Sequence, residues 1–294
     1  MLIRKSLIPV QYLVAAGLLF FAASCKKESS APVTLDASKQ QTVTNVMYGT
    51  DTAEKMDVYL PAGRSTATTK ILVLVHPGSW AEGDKADFDS AVDTLQILLP
   101  GYAIFNINYR LAANGKNVYP AALNDVELAL QFISNNAAAY AVDTAKIVLG
   151  GASAGAHLAM LETYSKNASN VKAVVDLFGP TDLTWLYTNH PFPQFAQPVL
   201  QNFLGVSLQQ NSALYAEASP INYVSAASPP TIIFHGTLDD VVPIEESQQL
   251  KAKLDSFNVT NTMIVYSNEG HGWMGSHLTD TYLKIAAFLN QYVQ

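Results

Sequence analysis

Cysteine is all but missing from this chain: of 294 residues, Cys25 alone is a cysteine. An internal disulfide is therefore excluded, and so is a zinc or iron–sulfur centre built on several thiolates. Charge is scarce as well, at 14% Asp, Glu, Lys and Arg against about a quarter in ordinary globular chains. What charge there is leans acidic, with a formal net value of −7, which argues against nucleic acid as a partner because phosphate binding needs a basic face. No run of like charges is long enough for a binding tail, and no internal repeat or low-complexity segment is present. With 49% hydrophobic and 10% aromatic residues, a disordered chain is excluded too. The length suits one large domain with a self-sufficient core.

The first residues carry Arg4 and Lys5, then an apolar run from Leu7 to Ala23, then Ser24 and Cys25. That is the layout of a secretory signal. A membrane-spanning helix needs about 20 apolar residues, and Pro9 and Gln11 interrupt this run. Ala22-Ala23-Ser24-Cys25 resembles a bacterial lipobox, in which the signal is cut before a cysteine that is then lipidated; Ala22 stands where the lipobox usually has Leu. The expected organisation is a signal over 1–24, lipidation at Cys25, a polar tether over 25–41 and a folded domain over 42–294. Such a protein is exported and held to a membrane by its lipid, on the periplasmic side or the cell surface.

From Thr42 onward, strand and helix patterns alternate. Val43–Tyr48 and Lys55–Leu60 read as a hairpin, and the continuous apolar run Ile71–Val75 as a strand buried on both faces. Further strands are expected at 102–107, 146–149, 171–177, 231–235 and 262–266. Helices are expected at 87–98, 120–139 with Pro120 at its first position, 153–165, 245–257 and 279–292. This calls for an α/β fold: a mostly parallel central sheet with helices on both faces. Residues 181–230 break the rhythm with six prolines and several aromatics. They read as an irregular insertion that walls or covers a site, against the alternative of a helical packing insertion.

The strand ending at Leu149 runs into Gly150-Gly151-Ala152-Ser153-Ala154-Gly155 and then a helix. G-x-S-x-G between strand and helix is the signature of a sharp turn that exposes a strained serine, with glycines two positions away to avoid clashes. A serine hydroxyl needs a base. Of six histidines, His271 sits in the glycine-flanked loop Glu269-Gly-His-Gly-Trp273 just past the last strand, after nucleophile and acid in chain order. His157 reads as a packing histidine, His235 as a brace for the following loop, and His190 and His277 as ordinary loop residues. The acid that holds the tautomer of the base is expected at Asp239, with Asp240 a solvent-facing neighbour. The oxyanion needs N–H donors. Ala154, directly after the serine, supplies one, and Gly78 and Ser79 after the first buried strand supply the others, since Pro77 has no N–H.

These residues together resemble the α/β-hydrolase esterases of the BD-FAE type (bacterial feruloyl and acetyl-xylan esterases), related to hormone-sensitive lipase. The resemblance runs from Met56 to Val293 through His76-Pro-Gly-Ser-Trp80, Glu82-Gly-Asp84, Tyr109-Arg110, Pro120 to Asp125, the Ser153 elbow, His235-Gly-Thr-Leu-Asp239-Asp-Val-Val-Pro243 and Glu269-Gly-His-Gly-Trp273. It implies an α/β-hydrolase fold and a serine carboxylesterase that needs neither cofactor nor metal. Ser153 is then the nucleophile, Asp239 the acid and His271 the base. A small-molecule or carbohydrate ester is the implied substrate. Where the family usually reads His-Gly-Gly-Gly-Trp, this chain has Pro77 and Ser79, which bears on substrate size rather than mechanism. A peptidase of the same fold and a catalytically silent binding lipoprotein are the competing readings. Trp80, Trp185 and Trp273 follow strands; each is read either as core packing or as a pocket residue, and if Trp185 lines the pocket, it and Ser79 narrow it.

Overall fold

The computed structural model describes residues 35–166 and 169–294. The expected signal and Cys25 lie outside these. The strands are β1 (Gln41–Met47), β2 (Lys55–Leu60), β3 (Lys70–Val75), β4 (Tyr102–Ile107), β5 (Ile147–Ala152), β6 (Val171–Leu177), β7 (Thr231–Gly236) and β8 (Asn261–Tyr266). They form one sheet in the order β1-β2-β4-β3-β5-β6-β7-β8. Only β1–β2 and β2–β4 pair antiparallel; from β4 to β8 every neighbour is parallel.

The helices are α1 (Asp89–Leu98), α2 (Ala121–Asn135), α3 (Ala137–Tyr140), α4 (Ala154–Lys166), α5 (Leu183–Asn189), α6 (Pro193–Leu204), α7 (Ser212–Glu217), α8 (Glu245–Ser256) and α9 (Gly275–Tyr292). Strand periodicity sorts the core into two layers. Ile71, Val73 and Val75 face Val126 and Ile133 of α2 and Leu158 of α4, while Leu72 and Leu74 face Val92 and Leu95 of α1 and Ile285 and Leu289 of α9. Each such side chain contributes about 1.5–3 kcal/mol by leaving water. This is the α/β-hydrolase layering expected from the sequence.

Three boundaries differ from expectation. Pro120 stands just outside α2, and the expected helix over 120–139 stops at Asn135 before the short α3. The compact unit begins at Leu35 rather than at residue 42. Ala37 accepts from Gly63 N, and Arg64 Nη1 donates to Lys39 O at 2.7 Å, so the last residues of the expected tether are tied to the domain. Finally, the 181–230 insertion is helical rather than irregular. Leu183, Leu186, Leu200, Phe203 and Tyr215 join the core on the α2–α4 face. Its entry is fastened by buried Glu246, whose Oε2 accepts from Thr181 N and Asp182 N at 2.7 Å each. Burial pushes that carboxyl up to about 7.

Candidate active site

The turn between β5 and α4 is made by Ser153 alone, held at φ 52°. The flanking glycines have steric reasons to be there. A Cβ on Gly155 would lie 1.9 Å from Val75 O, and one on Gly151 would lie 2.4 Å from Gly155 C. Ser153 N donates to Leu177 O at 2.8 Å, which pins the turn to the end of β6. The serine hydroxyl is thus presented at the carboxyl edge of the sheet, above the start of α4.

His271 reaches it from the loop between β8 and α9. Its Nε2 lies 2.9 Å from Ser153 Oγ, and its Nδ1 lies 2.7 Å from Asp239 Oδ2. With the carboxylate on Nδ1, the proton belongs there and Nε2 accepts from the serine hydroxyl. The base loop crowds the end of β7: a Cβ on Gly236 would lie 2.4 Å from the carbonyl oxygens of Glu269 and Gly270. Gly272, next to the base, takes φ 108°.

Asp239 has a side chain fully shielded from solvent. Its Oδ1 accepts from Val241 N and Val242 N, both at 2.9 Å. Its Oδ2 takes His271 at 2.7 Å and His235 Nε2 at 3.3 Å. Burial pushes this carboxyl up, but the hydrogen bonds from His235 and His271 and the charge of His271 outweigh it and hold Asp239 well below the usual carboxylate range. Asp240 is exposed. His235 also meets Val242 O at 2.8 Å and Ser247 Oγ at 2.7 Å. The sequence marks it as a loop brace; its contact with Asp239 carries no separate signal there.

The loop expected to supply the oxyanion donors turns through three successive residues of positive φ: Gly78 at 120°, Ser79 at 52° and Trp80 at 60°. A Cβ on Gly78 would lie 2.1 Å from Glu82 O, so only glycine fits. Ser79, Trp80, Ser153 and Ala154 line one cavity, walled by Leu186, Phe195, Val199 and Leu200 of the insertion. Of the expected donors, Ser79 and Ala154 border this space directly, and Gly78 is not among its lining residues. Trp80 stacks on Phe203 at 4.2 Å and donates to His157 Nδ1, and His157 Nε2 donates to Ala218 O. Burial pushes His157 down to about 4, so this histidine stays neutral and joins α4 to the insertion.

Two readings are corrected. Trp185 does not line the cavity; the helical turn of α5 places Leu186 there instead. His190 and His277 are not ordinary loop residues. Buried His190 meets Val241 O at 3.1 Å, and His277, on α9, pairs with Glu269 at 2.6 Å. Phe178 packs edge-on to the His271 ring at 4.6 Å; the sequence carries no signal for it, since its position depends on a backbone angle of φ 47°. Among the described residues, no group of three or more His, Cys, Asp or Glu side chains is placed to hold a metal.

Known proteins resemble this chain throughout the domain. The BD-FAE family profile matches residues 56–254. Esterase LipC of Mycobacterium tuberculosis is 28% identical over 268 residues, 84% of this chain and 64% of that protein. Esterase LipQ of the same organism is 31% identical over 196 residues, 63% of this chain and 45% of its own length. The matches thus span roughly half to two thirds of these curated relatives. Among solved structures, a truncated carbohydrate esterase from gut microbiota superposes with a TM-score of 0.74 at 26% identity, covering 87% of this chain and 98% of that one.

Proposed function

The chain belongs to the BD-FAE family, and from that premise we propose that it is a serine carboxylesterase acting on short acyl esters. The observation that carries the reading is the continuous contact from Ser153 Oγ through His271 to shielded Asp239, at 2.9 and 2.7 Å. Ser153 Oγ attacks the ester carbonyl as His271 Nε2 takes its proton. The oxyanion is met by the N–H groups of Gly78, Ser79 and Ala154. His271 then protonates the departing alcohol. Water, activated by the same nitrogen, releases the acid from the acyl-enzyme. A fluorophosphonate probe should label the protein and lose its target in Ser153→Ala. An unlabelled but folded wild type would favour a silent binding protein, and turnover of peptide anilides above esters would favour a peptidase.

The cavity at Ser153 sets the acyl size. Its volume is about 30 Å³, where one water needs roughly 10–15 Å³; acetyl or propionyl fits and octanoyl does not. Nitrophenyl acetate and propionate should therefore exceed the octanoate in kcat/KM. Phe195 lines the space yet is 44% exposed, so Phe195→Ala enlarges the space at little cost to the core. It should move the optimum to longer chains, by about 1–3 kcal/mol per accommodated methylene at most. Trp185→Ala should leave the profile where it was, and a shift there would return Trp185 to the pocket wall.

De-esterification of polysaccharide side groups is the finer substrate reading, supported by the carbohydrate esterase among the structural neighbours. Export and lipid anchoring are proposed from the Ala22-Ala23-Ser24-Cys25 pattern. Cells fed labelled palmitate should yield a labelled mature protein. Cys25→Ala should give an unlabelled precursor, and a mature wild type without label would end the proposal.

A further inference from the structure

Glu162 of α4 is 4% exposed, yet among the described residues nothing donates to it. It has no ion-pair partner, and its Oε2 is closed off from solvent without a hydrogen bond. Buried Asp125, Asp176 and Glu246 each accept from at least one backbone N–H. Burying an unpaired carboxyl penalises its charged form. Glu162 is pushed up to about 7, first by burial and then by the charge of Glu127, against the pull of Lys166.

Glu162 belongs to the wall of a recess of about 480 Å³ between α2 and α4. The recess is remote from the triad: at 1.5 Å per residue, Glu162 stands about 14 Å along the helix from Ser153. Glu127, Gln131, Ser134 and Asn135 of α2 line it, and α4 adds Lys166. Asn135 and Lys166 are the last residues of their helices, so the negative ends of two helix dipoles converge here. Lys166 does not serve Glu162, because its Nζ is engaged by Glu127 Oε2 at 3.1 Å. Gln131 Nε2 donates to Glu127 Oε1 at 3.4 Å, which leaves the Gln131 carbonyl oxygen as an acceptor.

These groups favour a ligand that brings positive charge and N–H donors. Two carboxylates and two helix C-termini repel an anion. A bare calcium ion asks for about six to eight oxygen ligands. Here Lys166 already holds one of the two carboxylates, and among the described residues no three acidic, His or Cys groups gather to hold a metal. A neutral sugar leaves the charge of Glu162 uncompensated. A primary ammonium group carries three N–H donors, one for Glu162 and the others for acceptors such as the carbonyl oxygens of Gln131 and Asn135. We propose that the recess between α2 and α4 binds a primary ammonium group, carried by a polyamine or an amino sugar, with Glu162 as its counter-ion. The site is separate from the triad and does not depend on the esterase reading.

The test is isothermal titration of the full chain at about pH 7, where alkyl ammonium groups carry their proton. Putrescine and glucosamine are the ammonium probes; N-acetylglucosamine and calcium chloride are the counter-probes. Both amines should bind, and the tighter of the two assigns the ammonium to a polyamine or to an amino sugar. Glu162→Gln keeps the shape and removes the charge, and should weaken the binding at least about tenfold. Asn135→Lys, an exposed change at the end of α2, brings a competing ammonium to the recess and should weaken it likewise. Bound putrescine should raise the melting temperature of the wild type and not of Glu162→Gln, while nitrophenyl acetate turnover stays the same in both. Equal binding of putrescine by the wild type and both variants would reduce it to attraction by an acidic surface and overturn the site. A wild type that takes neither amine at about 10 mM would overturn it too. So would N-acetylglucosamine binding as tightly as glucosamine, or calcium binding where neither amine does.

Discussion

Ser153→Ala is expected to lower kcat at least about 10³-fold while leaving the domain as stable as before, or more so. The activity term follows from the proposed mechanism: without Oγ no acyl-enzyme forms, and what remains is binding plus oxyanion stabilisation. A thousandfold loss corresponds to about 4 kcal/mol of transition-state stabilisation. The stability term follows from the turn. Ser153 is held at φ 52° by glycine-only packing at positions 151 and 155 and by its N–H bond to Leu177 O. Alanine keeps that backbone and carries the same Cβ. The side-chain hydrogen bond lost is the one to His271, which is partly open to solvent and can meet water instead. Catalytic serines of this kind are retained at the expense of stability, so the melting temperature should stay level or rise. Retained turnover in a correctly folded variant would remove Ser153 from the mechanism. A collapse of the melting temperature would show that the hydroxyl is part of the fold.

Much of this site is written in local sequence because its geometry is local. The elbow needs glycine at 151 and 155 whatever else surrounds it, since a Cβ at either position would strike backbone. The strands from Lys70 to Tyr266 announce themselves by apolar runs because most are covered on both faces. The insertion is harder to read. Pro191, Pro193 and Pro198 mimic loop composition, yet Pro193 opens α6, where a missing N–H costs nothing, and Pro198 is accommodated within it. The place of Trp185 depends on helical phase: one residue of rotation puts Leu186 rather than the tryptophan against the cavity. Tertiary approach is not in the local pattern at all. That His235, 36 residues before His271 in the chain, would share Asp239 Oδ2 with it, or that Phe178 would stand edge-on to the base, follows only once β6, β7 and β8 lie side by side.

Asp239→Asn should cost about 10³-fold or more in kcat/KM, and Asp240→Asn little. Every group around the Asp239 carboxyl is a donor: Val241 N and Val242 N on Oδ1, His271 Nδ1 and His235 Nε2 on Oδ2. An amide in the same place must aim its NH₂ at one of these pairs. Turned toward Oδ2, it opposes the proton on His271 Nδ1 and drives the ring to the other tautomer, with N–H facing Ser153 and no base left. Turned toward Oδ1, it faces two backbone N–H groups in a site shut off from solvent, at about 1–3 kcal/mol for the unsatisfied donors. The variant therefore loses activity and melting temperature together. Exposed Asp240 should move stability by no more than about 0.5 kcal/mol. The pH dependence separates the roles further. The folded state holds the Asp239 pKa below its unfolded value. Its ionisation therefore contributes stability above about pH 4, and that contribution is lost as the pH falls through the lower folded value. The gap in melting temperature between wild type and Asp239→Asn should close in strong acid. Because Asp239 stays ionised down to that range, its own protonation does not set the acid limb of the wild-type kcat/KM profile. If Asp240→Asn proves the more damaging change, the acid is Asp240 and the contact at 2.7 Å is not the one that orients the base.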